Sequence, residues 1–241
     1  MNITFKASPN YNERDGAISY LILHYTGTSN AQEAQDVYLD KCRDPKAGPV
    51  SPHYMIDKNG DITQFVEESK RAWHAGKSFW SGVEDMNSRS VGIELVNEGE
   101  FAGYPDFAEK QISSLIKLGH QICARHNITP ASVLGHSDIA PGRKLDPGPS
   151  FPWKHLAEQG LGIWPSPSEQ EIKKLQNRYQ GKDAQKILIR ALVKIGYNPD
   201  CDPQILAAAF RAHYGSGVKD DVELLARAHF LEKVISGQDW S

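Results

Sequence analysis

Cysteine is scarce. Cys42, Cys123 and Cys201 lie far apart in 241 residues, an odd number without CxxC spacing, which argues against a disulfide framework and against a thiolate metal site. No run of eighteen apolar residues occurs, so no segment reads as a membrane-spanning helix. The opening MNITFKASPNYNERDG lacks the apolar core of a signal segment. The chain as written is therefore expected in the cytoplasm, with the periplasm or cell wall as the alternative if a leader precedes it. Neither sign of charge dominates: 27 Lys and Arg face 30 Asp and Glu, for a net charge of −3. That balance gives no reason to expect nucleic acid or a lipid surface as partner. Internal repeats and low-complexity tracts are also missing. What remains is an ordinary globular composition, 39% apolar, in a chain long enough for one or two domains. It is read as a monomer.

The pattern changes near GIWPSPSEQ. Up to residue 164, strands alternate with helices. AISYLILHYTG (17–27) and SVGIELVN (90–97) are apolar runs of the kind expected for buried strands. HYMIDKNGDITQFV (53–66) holds two apolar runs around Asn59-Gly60, a strong hairpin signal. AQEAQDVYLDKC (31–42) suits a short helix, and ASVLGH (131–136) a short strand. DFAEKQISSLIKLGHQICARH (106–126) opens with Asp106 and Glu109 at capping-box spacing. It then sets Phe107, Ile112, Leu115, Ile116, Gly119, Ile122 and Cys123 on one helical face. The fold class expected is α/β, a mixed central sheet covered by helices. Beyond the Trp164–Pro167 linker the pattern is helical only. Ser168 and Glu171 form a capping box, and helices are expected over 183–197, 203–215 and 220–234. The expected organisation is thus residues 1–164 as one domain and 165–241 as a small all-helical module.

Candidate chemistry gathers in GHSDIAPGRKLDPGPSFPW (135–153), too rich in proline and glycine for a regular element. Of the nine histidines, His120, His126, His155, His213 and His229 fall in or beside helical patterns and read as surface residues. His24 and His136 end strands, where a side chain can emerge from a rigid core. Asp146 sits ten residues beyond His136. Each has a plain structural alternative: a satisfied strand-end histidine, or a turn aspartate before proline. Taken together, two histidines and one carboxylate make a three-ligand zinc set whose fourth position is left for water, the pattern of catalytic zinc. Glu94 is a carboxylate inside an apolar strand, where burial without a partner would be costly. It is read as a general base, against a paired structural carboxylate. Lys144, two residues before Asp146 in an extended stretch, can face the same pocket and offer a charge to an oxyanion. The alternative is a solvated loop lysine.

LILHYTGT, HYMIDKNGDITQFV, AWHAG, SVGIELVN and the 135–153 loop, in this order, resemble the successive motifs of the zinc-dependent N-acetylmuramoyl-L-alanine amidases of type 2, whose fold is shared with peptidoglycan recognition proteins. The resemblance implies His24, His136 and Asp146 as zinc ligands, Glu94 as the catalytic glutamate and Lys144 as the transition-state cation. It also implies Tyr25 and His74 as substrate-lining. LVKIGY followed by AAAFRAHYG is similar, more weakly, to the small helical peptidoglycan-binding module found behind such domains. The alternative for the tail is a helical cap that only stabilises the first domain.

The implied activity is hydrolysis of the amide between N-acetylmuramic acid, ordinary or 1,6-anhydro, and L-alanine of the stem peptide, in cell-wall turnover or recycling. The partners implied are peptidoglycan or muropeptide fragments, and the cofactor is Zn2+. Two other readings were weighed against it: a recognition module that binds wall fragments without cutting, and a zinc peptidase acting inside the stem.

Overall fold

The computed structural model describes residues 2–40, 48–218 and 220–237. In chain order the elements are β1 (Ile3–Phe5), β2 (Tyr11–Glu13), β3 (Tyr20–Tyr25), α1 (Ala31–Tyr38), β4 (Tyr54–Ile56), β5 (Ile62–Gln64) and β6 (Lys70–Ala72). Next come α2 (Met86–Arg89), β7 (Ser90–Leu95), α3 (Glu109–His126), β8 (Val133–Gly135), α4 (His136–Ile139) and α5 (Trp153–Glu158). The last four are α6 (Glu169–Tyr179), α7 (Ala184–Ile195), α8 (Pro203–Tyr214) and α9 (Asp221–Ser236).

The main sheet runs β1-β5-β4-β7-β3-β8, and β2 pairs with β6 alongside it. Only β4 and β5 are antiparallel within the main sheet, as the Asn59-Gly60 turn requires; Gly60 takes φ +89° there. The central strands β3 and β7 are parallel and nearly continuous in apolar residues, because both faces of the sheet are covered. Side chains alternate between those faces. Leu21, Leu23, Val91, Ile93 and Leu95 pack with Ile112, Leu115, Leu118 and Ile122 of α3. On the other face, Ile22 and Leu134 join a cluster with Leu188, Leu192, Leu206, Phe210 and Leu224 from the C-terminal helices. The tail therefore shares a buried apolar cluster with the sheet.

Several expectations need correction. The helix expected over 106–126 starts at Glu109 with Ala108 as its cap, and no side chain caps it, so Asp106 and Glu109 do not form a capping box. Phe107 lies before the helix and packs edge-on to Phe151. The helix expected over 31–42 ends at Tyr38; residues 41 and 42, including Cys42, lie outside the described residues. His136 opens a single helical turn instead of ending a strand. The capping box of Ser168 and Glu171 is present, with the Ser168 amide donating to Glu171 Oε2 at 2.6 Å. His213 is no surface histidine: only 1% of it is exposed.

Candidate active site

β3 and β7 set the first two site residues side by side, because His24 is the register partner of Glu94 in the parallel pair. Both occupy the sheet face opposite α3. β8 delivers His136 at its end, and the loop that follows returns Asp146 to the same point. The Ser137 amide donates to the Asp146 carbonyl at 2.9 Å, which locks the two stretches of loop together. His24 Nδ1, His136 Nδ1 and Asp146 Oδ2 then form a triangle with edges of 2.9, 2.8 and 3.0 Å. All three residues are buried.

The donor set fits a metal on chemical grounds. His136 Nε2 donates to the Ala75 carbonyl at 3.0 Å. In the neutral imidazole this leaves a lone pair on Nδ1, aimed at the Asp146 carboxylate and at His24 Nδ1. Convergent lone pairs and a carboxylate in a buried place call for a cation between them. A proton on the ring is disfavoured at His24: burial, then the charge of His136, draws its pKa down to about 4. Burial alone would raise the Asp146 carboxyl, but His136 and His24 outweigh it and hold Asp146 well below the usual carboxylate range.

Each imidazole is held from behind. With Nδ1 of His24 turned to the triangle, its Nε2–H donates to His74 Nδ1 at 3.0 Å. His74 Nε2–H donates to Ser90 Oγ at 3.2 Å, and Ser90 Oγ donates to the Met86 carbonyl at 2.6 Å. Every proton in that chain has one place, so the partners fix the tautomers. His74 fits only because residue 92 is glycine: a Cβ there would lie 2.5 Å from the His74 ring. His74 lines the cleft, with both its ring nitrogens engaged by His24 and Ser90. On the other side, Arg143 Nη2 donates to the carbonyls of Ala75 at 2.6 Å and Lys77 at 2.7 Å, pinning the loop that receives His136.

Glu94 stands beside the triangle. Its Oε2 is enclosed without a hydrogen-bond partner among the described residues. Burial, then the charge of Asp146, pushes its carboxyl well above the ordinary range, against the opposing pull of Lys144. Lys144 is exposed on the loop and lines the same cleft of roughly 690 Å³. Tyr25 lines it too, with its ring over Gly99, where a Cβ would fall 2.3 Å from it.

Sequence reasoning missed Tyr38 as a site residue. It closes α1, is buried, and lines the same cleft as Glu94. Its helical segment gave no sign of a site, and nothing local linked it to a strand fifty-six positions later. Phe101, 81% exposed, and Leu145, 47% exposed, form an apolar rim to the cleft that was also missed.

A family model described as N-acetylmuramoyl-L-alanine amidase matches residues 14–149. The Escherichia coli N-acetylmuramoyl-L-alanine amidase AmiD is 36% identical over 244 residues, covering 92% of this chain and 84% of its own. The Haemophilus influenzae 1,6-anhydro-N-acetylmuramyl-L-alanine amidase AmpD is 37% identical over 163 residues, covering 61% of this chain and 86% of its own. Among solved structures, E. coli AmiD in complex with anhydro-N-acetylmuramic acid-L-Ala-D-γ-Glu-L-Lys superposes with a TM-score of 0.74, covering 97% of this chain and 94% of that one at 36% identity. AmpDh3 from Pseudomonas aeruginosa gives 0.77 at 31% identity, with 96% of each chain covered. The fold and the site define an amide hydrolase built around a His-His-Asp cluster. The chain belongs to the N-acetylmuramoyl-L-alanine amidase family.

Proposed function

We propose that this protein is a zinc-dependent enzyme that hydrolyses the amide between the lactyl group of N-acetylmuramic acid and L-alanine of peptidoglycan stem peptides, in cell-wall turnover or recycling. The observation that carries the reading is the convergence of His24 Nδ1, His136 Nδ1 and Asp146 Oδ2 beside an unpartnered glutamate oxygen. The 1,6-anhydro sugar named in the AmpD relatives and in the AmiD complex is included in the substrate class.

His24, His136 and Asp146 would hold the zinc, which supplies Lewis acidity to the scissile carbonyl and to the attacking water. Glu94 takes the proton of that water on its free Oε2 and passes it to the leaving amine nitrogen. Tyr38, at the end of α1, lines the cleft beside Glu94. Lys144, whose charge reaches Glu94 and His24, stabilises the oxyanion that develops on the carbonyl oxygen. Tyr25, Phe101 and Leu145 offer amphipathic surface to the sugar and the peptide. In this reading residues 1–164 carry the chemistry, and residues 165–241 add contact with the wall polymer.

The test is product analysis with paired anhydro and ordinary muropeptides. Mass spectrometry should show free sugar and an intact peptide beginning at L-alanine. Fragments cut within the stem would replace this reading with a peptidase, and unchanged substrate in the metal-loaded protein would leave only recognition. His24→Ala, His136→Ala and Asp146→Ala should each lower zinc content and abolish cleavage. Full activity in zinc-replete Asp146→Ala would remove that residue from the ligand set.

A further inference from the structure

Asp138 lies two residues beyond His136, in the same turn, and none of it is exposed. Its carboxylate collects three donors. The Gly135 amide donates to Oδ2 at 2.7 Å and closes the turn. The other two come from the C-terminal helical region: His213 Nδ1 donates to Oδ2 at 2.6 Å, and the Tyr197 hydroxyl donates to Oδ1 at 2.6 Å. Both donors are fully buried. Each also grips a second piece of the site's backing. His213 stacks on Trp153 at 3.6 Å, and Trp153 lies against Gly135, where an added Cβ would stand 3.3 Å from its ring. Tyr197 packs edge-on to Trp80 at 4.8 Å. Phe79, next to Trp80, donates its amide to the Ile139 carbonyl at 2.8 Å. That stretch continues back to Ala75, whose carbonyl accepts from His136 Nε2.

A buried carboxylate with its donors in place is fixed in one orientation, whereas one that loses a donor turns to find another. In this turn such a rotation moves the backbone that carries His136. We propose that Tyr197 and His213 are positioning residues: through Asp138 they hold the His136 turn in the geometry the metal cluster needs. This makes the C-terminal helices part of the site's scaffold as well as a contact surface. The proposal rests on reading His136 as a metal ligand.

Tyr197→Phe removes one hydroxyl and keeps the ring on Trp80. His213→Leu removes the donor, and His213→Asn restores an N–H near the Nδ1 position. Zinc affinity, measured by competition with a chelator, should fall tenfold or more in Tyr197→Phe and His213→Leu, and His213→Asn should recover part of the loss. The absorption spectrum of the cobalt-loaded protein should shift in the same two variants. In metal-free protein, exchange of the Ser137 amide, which is bonded to the Asp146 carbonyl, should speed up at least tenfold while the far-ultraviolet circular dichroism stays that of the parent. Wild-type affinity, cobalt spectrum and Ser137 exchange in Tyr197→Phe and His213→Leu would overturn the proposal; if His213→Leu does not fold, Tyr197→Phe decides alone. Failure of the parent itself to bind zinc, with faster Ser137 exchange in the variants, would sink the metal reading and leave the clamp standing.

Discussion

Glu94 faces two opposing demands. In the proposed mechanism its carboxylate must be ionised and open to a water; folding favours it neutral, because it is buried and Asp146 is negative. The raised pKa records that conflict. Glu94→Gln should keep the metal and the fold but lose at least roughly a hundredfold in kcat, the low end for a general base. In metal-free protein the same substitution should raise stability at pH 7. The sign follows from linkage: a carboxyl whose folded pKa exceeds its unfolded value, about 4.3, makes ionisation unfavourable to folding as pH rises above that value. The gain over the parent should therefore vanish in acid, and thermal melts from pH 4 to pH 7 read it directly. A wild-type turnover rate for Glu94→Gln would make the glutamate structural. If Lys144 holds the oxyanion as proposed, Lys144→Met should lower kcat more than it raises KM, since that contact would strengthen as charge develops.

Between elements, single side chains do the joining. Glu68, in the loop after β5, accepts from Arg125 and His126 at the end of α3, and from the Tyr54 hydroxyl of β4. Burial would raise its carboxyl, but these donors pull it down to about 2. A depressed folded pKa contributes stability that is fully present above the unfolded value near 4.3 and is lost as pH falls towards 2. Glu68→Gln should destabilise the protein at pH 7 and flatten the acid limb of its stability curve; an unchanged limb would show that the donors rearrange at no cost. Gly92 joins β7 to the His-His-Asp cluster by being small. In Gly92→Ala the new Cβ must displace the His74 ring, so zinc affinity and thermal stability should fall together. Retained affinity would mean that the His24–His74 bond does not set the site.

For the whole molecule, the C-terminal helices contribute to the core beneath the sheet. The cluster they share with the sheet includes Ile22, Trp80, Met86, Leu134 and Ile139. Exposing each large apolar side chain costs about 1.5–3 kcal/mol, and together these losses are comparable to the whole ~5–15 kcal/mol stability of a domain. A chain ending at Trp164 should melt at markedly lower temperature, and any folded fraction should hold zinc less tightly because Asp138 has lost two donors. The tail's proposed contact with polymer is tested by pull-down on purified sacculi with Ile205→Glu, a substitution at a residue 37% exposed on α8. A truncated chain with parental melting temperature and zinc affinity would show instead that the two regions are independent.

Local chemistry made much of this protein legible in one dimension. The apolar runs of β3 and β7, the Asn59-Gly60 turn, the Ser168 cap and the helical periods of the tail each depend on neighbours within a few residues. His24, His136 and Glu94 stood out because polar groups at the ends or in the middle of apolar strands need a reason to be there, and Asp146 because it follows His136 in one turn-rich loop. Partnerships set by packing were not legible. Tyr38 comes to the cleft of Glu94, His74 turns inward to His24, and His213 reaches Asp138 across seventy-five positions only because the sheet register and the docking of α8 bring them together. A helical period cannot tell a histidine facing water from one facing a buried carboxylate. The sequence by itself determined which elements form and which side chains could carry the chemistry. Tertiary structure alone decided what stands behind each ligand, because buried donors and acceptors are satisfied through space, without regard to distance along the chain.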